Sequence, residues 1–154
     1  MNQAWRITKR RWAERAFDGE GARRFGGRFN SKGTAVVYLG AHLSLAALEI
    51  IVNARRSELL EAYVFFRVSF DDELVLTLLL DDLPENWRES PAPESVRAIG
   101  NAWAKEQASL ILEVPSAVIP YESNYLLNPL HPDMSRLVIE GPEPFVFDPR
   151  LAEV

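Results

Sequence analysis

The sequence predicts an α+β fold, with mixed or antiparallel sheets and flanking helices. Strand-length apolar runs recur along the chain, whereas only two segments have the length and apolar spacing of principal helices. Strands and helices do not alternate in the regular way a doubly wound sheet needs. The composition, 47% hydrophobic and 25% charged, is that of an ordinary globular protein. The length suits a single domain over residues 1–154 with a sizeable core.

Trp5-Arg6-Ile7 reads as a short strand, with Arg6 directed away from a core that takes Trp5 and Ile7. Lys9–Phe17 reads as a short helix, and Asp18-Gly19-Glu20-Gly21 as a turn. A glycine-rich loop follows, then a strand over Ala35–Leu39. That strand is apolar on both faces and so belongs inside a sheet. Ala41–Asn53 is the clearest helix, with Ser44 or His42 near its N-cap. Its many Leu, Ala, Ile and Val residues predict a largely buried helix. Ala62–Phe70 and Leu74–Leu80 read as strands. Pro84–Pro93 is a loop with a turn around Trp87, and Ser90, Pro91 and Pro93 form the entry to a helix over Glu94–Gln107. Ser109–Val114 is a short strand, resumed after a kink by Ala117-Val118-Ile119. Asn124–Pro129 is a strand edge or turn, and Phe145–Phe147 is a last strand.

Charge and composition exclude several functions. The net charge is −5, which disfavours general nucleic-acid binding by phosphate neutralisation. The basic residues are uneven, however: nine Lys/Arg and three Asp/Glu lie between Arg6 and Lys32. A locally positive site in an acidic protein fits a small anionic ligand. There is no cysteine, so disulfides, thiolate metal sites and cysteine nucleophiles are excluded. Only two histidines occur, His42 and His131, which excludes a multi-histidine metal site. His131 lies in a proline-flanked turn, and a structural role is expected of it. The pairs Asp71-Asp72 and Asp81-Asp82 read as solvated strand ends. No apolar run reaches membrane-spanning length and no signal-peptide core is visible, so cytoplasmic residence is expected.

The unusual chemistry lies between Gly26 and Ala54. Arg28 follows two glycines, whose amides can form an anion-binding nest. Arginine adds planar recognition of phosphate or carboxylate, and Lys32 adds a second positive charge. A solvated surface loop is the plainer alternative. Tyr38 ends the buried strand and either stacks on a flat heterocycle or serves the core. Glu49 is the one acid on the apolar helix. Burying a carboxylate without partners is costly, so it reaches a cleft, a distant arginine or the surface. Ser116 sits at a strand break, with no histidine or lysine placed to activate it as a nucleophile. Asn124 and Asn128 are either turn formers or polar contacts to a ligand.

These residues together resemble the RES-domain family, named for its arginine, glutamate and serine. The resemblance rests on Gly27-Arg28-Phe29-Asn30 with Lys32-Gly33, then Val36-Val37-Tyr38, then Leu45-Ala46-Ala47-Leu48-Glu49. It continues in Val114-Pro115-Ser116 and Asn124-Tyr125-Leu126-Leu127-Asn128-Pro129, and covers the chain from about Trp5 to Asp133. Arg28 and Glu49 match the arginine and glutamate. Ser116 matches the serine, with Ser123 the competing assignment. Phe29 stands where the family usually has tryptophan.

The resemblance implies a toxin of a bacterial toxin–antitoxin module with a fold like that of ADP-ribosyltransferases. It implies NAD⁺ as substrate rather than cofactor, cleaved by hydrolysis or phosphorolysis, or used to ADP-ribosylate a protein. It also implies an Xre-type antitoxin that covers the active site, DNA contact only through that antitoxin, and toxin dimers among the assemblies. Carried onto this chain, Glu49 would stabilise the ribose cation. Arg28, with Lys32, would hold the pyrophosphate. Tyr38 would stack on or flank nicotinamide, and Ser116 would hydrogen-bond nicotinamide or ribose. Asn124 is a further ligand contact, and Arg6 a further phosphate or ribose contact. Nicotinamide is already a good leaving group, so no metal is needed.

Overall fold

The computed structural model describes residues 1–153. Seven strands form one sheet: β1 (Asn2–Lys9), β2 (Val37–Gly40), β3 (Tyr63–Phe70), β4 (Val75–Thr77), β5 (Ile111–Pro115), β6 (Ser123–Leu127) and β7 (Val138–Phe145). Their spatial order is β4-β5-β6-β2-β1-β3-β7. Among the described residues, only the β4–β5 pair is parallel. The sheet is thus mixed and the fold α+β, as the sequence predicts. Three α-helices accompany it: α1 (Glu20–Phe25), α2 (Leu43–Asn53) and α3 (Glu94–Glu106).

Both faces of the sheet are covered. Ala4, Val37, Leu39, Val68, Phe70, Ile111, Tyr125 and Leu127 pack together on one face. On the other, α2 packs Ala46, Ala47 and Ile50 against Ile7 and Tyr63. Farther along that same face, α3 lays Val96 and Trp103 over Leu112, Val114 and Leu126. A cleft remains where these two helical covers fail to meet.

Several elements differ from expectation, each for a physical reason. Lys9–Phe17 is not an α-helix: β1 runs to Lys9, and a 3₁₀ turn takes Arg10–Arg15. Asp18–Gly21 is more than a turn, because α1 starts at Glu20. α2 is not largely buried. Only Leu45 and Ala46 are, because one helix face meets the sheet and the other meets solvent, leaving Val52 57% exposed. His42 occupies its N-cap without a side-chain cap. β4 is three residues of the expected seven-residue strand, since it lies at the sheet edge. Ala117–Ile119 turns rather than resuming the strand. β6 is an interior strand between β5 and β2, not an edge. The last strand ends at Phe145 rather than running from Phe145 to Phe147. Its prolines, Pro142 and Pro144, are tolerated because β7 is an edge. His131 is structural as expected: its Nδ1 accepts from Asp133 N at 3.0 Å.

β1 and β2 share one ladder pair, Trp5 with Gly40. Arg6 bridges the gap beyond it. Its Nε donates to Ala16 O at 2.9 Å and its Nη1 to Tyr38 O at 3.3 Å. Arg6 is on the face opposite Trp5 and Ile7, as expected, but that face is also covered. Burial lowers its pKa to about 10, opposed by the charge of Asp18.

Candidate active site

The glycine-rich loop is held from three sides. Gly27 N donates to Asn30 O at 3.0 Å, closing a tight turn that presents Arg28 and Phe29 at its tip. Asn30 is fully buried, and its Nδ2 reaches Ala22 O at 2.8 Å, Thr34 O at 3.1 Å and Ser31 O at 3.2 Å. The Tyr38 hydroxyl donates to Asn30 Oδ1 at 2.6 Å and accepts from Phe29 N at 3.1 Å. Burial raises the Tyr38 pKa far above its ordinary value, so the phenol keeps the proton that this network needs. Gly27 is required for this packing, because a Cβ there would lie 2.7 Å from the Tyr38 hydroxyl oxygen. From α3, Asn101 Oδ1 accepts from Ser31 N and Asn101 Nδ2 donates to Ser31 Oγ, both at 2.9 Å.

Arg28 points from this loop into the cleft. Its Nη1 donates to Trp87 O at 2.8 Å and Glu89 O at 2.9 Å, which fixes the guanidinium against the 84–91 loop. Desolvation lowers its pKa, and the charge of Glu49 opposes that shift. Arg28 Nε and Nη2 make no hydrogen bond among the described residues and can meet a ligand.

Glu49 is on the helix stripe that continues Leu45 and Ala46. Its Oε2 accepts from Ser116 Oγ at 3.0 Å and from Asn124 Nδ2 at 2.5 Å. Its Oε1 has no hydrogen bond among the described residues. Ser116 is fully buried, and its Oγ accepts from Val118 N at 3.1 Å and Ile119 N at 3.0 Å. Those two acceptor contacts leave the hydroxyl proton one direction, toward Glu49. Asn124 comes from β6, opposite Gly40 on one side and Val114 on the other. The carboxylate is therefore held through one oxygen by neutral donors and offers the other.

Arg6, Arg28, Lys32, Tyr38, Glu49 and Asn124 line one open cleft of about 1580 Å³. That exceeds the roughly 300–1,000 Å³ of common small-ligand pockets, so an extended ligand fits. Lys32 is exposed and carries no ion-pair partner among the described residues. Ser116 differs from expectation: it does not line the cleft, and its hydroxyl is committed to Glu49 instead of a ligand. Tyr38 differs in part, since its ring flanks the cleft while its hydroxyl is used to hold the loop. Arg6 is mainly a strut. Ser123 pairs with Pro115 in the sheet and makes no side-chain bond to Glu49, so Ser116 is the serine of this constellation. Asn30 and Asn101 are the organising residues that the sequence reading gave no role.

Residues 3–148 match the profile of the RES domain family. The chain belongs to the RES-domain family. The match extends beyond both ends of the Trp5–Asp133 resemblance. A "Toxin Res" of Yersinia enterocolitica (serotype O:8 / biotype 1B) is 40% identical over 148 residues, covering 96% of this chain and 97% of its own. A Sphingobium protein named "Prs ADP-ribosylating toxin" is 32% identical over 152 residues, covering 96% of this chain and 94% of its own. Among solved structures, the Mycobacterium tuberculosis MbcT–MbcA toxin–antitoxin complex contains a chain that superposes with a TM-score of 0.79. The match covers 99% of this chain and 87% of that chain, at 22% identity, and so speaks for the fold. By family, the chain is a RES-domain toxin. No helix among its described residues is long and apolar enough to cross a membrane.

Proposed function

We propose that this RES domain cleaves the nicotinamide–ribose bond of NAD⁺, and that the resulting loss of NAD⁺ arrests growth. The observation that supports this reading is Glu49: one oxygen is clamped by Ser116 and Asn124, the other has no hydrogen-bond partner among the described residues, and the residue lines the same cleft as Arg28, close enough for their charges to interact. When the C–N bond breaks, its electron pair leaves with nicotinamide and positive charge develops on the ribose. A fixed carboxylate stabilises that charge, as in glycoside cleavage. Arg28, with Lys32 at the cleft mouth, neutralises the pyrophosphate. Water, which gives up a proton to solvent, or inorganic phosphate then adds to the ribose carbon. The reaction so written uses protein side chains, NAD⁺ as substrate and water or phosphate as acceptor, with no cofactor.

The test is incubation of the purified protein with NAD⁺, with and without inorganic phosphate, while nicotinamide release is followed by chromatography. Release in either condition is the expected result. No release from a folded protein would sink the reading. Arg28→Ala is expected to raise the apparent Kd for NAD⁺ about 10–100-fold, the worth of one or two hydrogen bonds to a charged group. Titration of the variant checks this, and an unchanged Kd removes Arg28 from phosphate binding.

A second reading is transfer of ADP-ribose to a protein. The name of the Sphingobium relative and the openness of the cleft favour it. Labelled NAD⁺ added to a lysate would then leave label covalently attached to a protein. Under either reading the toxin acts in the cytoplasm and is held in check by an Xre-type antitoxin seated over the cleft. DNA contact would come only through that antitoxin, and a toxin homodimer is compatible with the assembly. The relation to a toxin–antitoxin complex supports such a partner, as do exposed Trp12, Phe25 and Val52 along the cleft.

A further inference from the structure

The 84–91 loop brings a second guanidinium to the cleft beside Arg28. Arg28 Nη1 donates to Trp87 O and Glu89 O, the two carbonyls that flank Arg88, so its guanidinium rests against the backbone of residue 88. Arg88 is exposed and lines the same cleft. Its Nε donates to Ala117 O at 3.0 Å, in the turn that follows Ser116. Its Nη1 and Nη2 make no hydrogen bond among the described residues.

Neither arginine forms an ion pair among the described residues, whereas Arg23, Arg67, Arg136 and Arg150 each do. Backbone carbonyls orient a guanidinium without cancelling its charge. The two charges also feel each other. Desolvation is the main cause of the lowered Arg28 pKa; the charge of Glu49 opposes the shift, and that of Arg88 adds to it. The loop that holds them together is anchored, because Trp87 is buried with Val96, Trp103 and Leu112. An anion bonded to both guanidiniums relieves their repulsion, and their planar forks match the oxygens of a phosphate.

We propose that Arg88 is a second phosphate-binding residue of the cleft, and that with Arg28 it clamps one phosphoryl group through the N–H donors that the protein leaves free. For the identity of the ligand this rests on the reading of the cleft as an NAD⁺ site. That reading supplies two sources of the group: the pyrophosphate of the dinucleotide, and inorganic phosphate arriving as acceptor. The chemistry of recognition is the same for both. The bond to Ala117 O ties Arg88 to the turn whose amides hold Ser116, and Ser116 holds Glu49. The clamp and the carboxylate are thereby built on one turn.

The test is calorimetric titration of the wild type and Arg88→Gln with two probes, ADP-ribose and inorganic phosphate. Arg88→Gln is expected to raise the Kd about tenfold or more, the worth of one charge-assisted hydrogen bond. A rise for ADP-ribose alone assigns the clamp to the pyrophosphate, and a rise for phosphate alone assigns it to the acceptor. A rise for both supports a clamp that takes either. Unchanged affinity for both, or a wild type that binds neither, overturns the proposal. Arg56→Gln removes an exposed charge outside the cleft and should change neither Kd; an equal loss there makes the effect one of general charge and overturns the clamp. Arg88→Lys separates charge from support, since it keeps the charge and loses the guanidinium that bonds Ala117 O. It should retain more affinity than Arg88→Gln, and equal loss in the two overturns the clamp in favour of a strut. A wild type that binds ADP-ribose through Arg88 yet releases no nicotinamide from NAD⁺ supports the clamp and overturns the cleavage reading.

Discussion

Glu49→Gln is expected to lower kcat for NAD⁺ cleavage by about three orders of magnitude, with the Kd for NAD⁺ changed by less than about threefold. The substitution removes charge and almost no volume. Glutamine keeps one carbonyl oxygen, which can still accept from Ser116 and Asn124, now the donors to Glu49 Oε2. Its NH₂ group then occupies the place of the free Oε1. The cleft keeps its shape but loses the charge that meets the ribose cation. Since that cation exists only as the bond breaks, the loss falls on turnover rather than on binding. Single-turnover kinetics with a separate binding titration would check this. A variant within tenfold of wild-type turnover would remove Glu49 from the mechanism.

Local residues of the site are legible in the sequence because they are close in the chain. Arg28, Tyr38 and Glu49 come from one loop–strand–helix unit, and a lone acid on an apolar helix stands out at once. What the chain alone does not reveal is how Glu49 is held. Ser116 and Asn124 are 67 and 75 residues away and arrive through β5 and β6. Their position depends on the Gly40–Asn124 register, a non-local pairing. The same limit explains why Ser116 reads as a ligand contact in the sequence when it lies behind the carboxylate. Asn30 is the converse case. It sits in the recognised loop, but asparagine in a Gly-rich stretch reads as an ordinary turn residue. Its burial follows only once α1, β2 and Thr34 close around it.

The misplaced elements share a cause too. β7 contains Gly141-Pro142-Glu143-Pro144, a run that reads as a loop unless its edge position is known. α1 is six residues long and contains a glycine, too short for a periodic apolar pattern to show. The excess of apolar residues on α2 predicts burial on all sides, yet Leu48 and Val52 face solvent near the cleft. Composition reports how much apolar surface a helix carries, not how much of it the chain itself covers.

Gly100→Ala is expected to lower stability by about 2–3 kcal/mol, although alanine is the better helix former. Gly100 lies in the middle of α3, where alanine would ordinarily gain roughly 0.5–1 kcal/mol. Here a Cβ would stand 1.7 Å from Phe29 O and 2.8 Å from Phe29 C, both backbone atoms. No side-chain rotation relieves that contact, so either α3 or the glycine-rich loop must move. The steric term exceeds the propensity term, and a domain of this size should lose roughly 5–10 °C in Tm. The displaced loop carries Arg28 at its tip and bonds Tyr38 through Phe29 N, so the KM for NAD⁺ should rise more than kcat falls. Gly21→Ala is the control. Gly21 also lies in a helix, α1, but nothing stands within 4 Å of its added Cβ, and its variant should hold or slightly gain stability. If Gly100→Ala melts at or above the wild type, α3 and the loop are not in the close contact that positions Arg28. If both variants lose stability equally, the effect belongs to glycine in helices generally, not to the seat of the loop on α3.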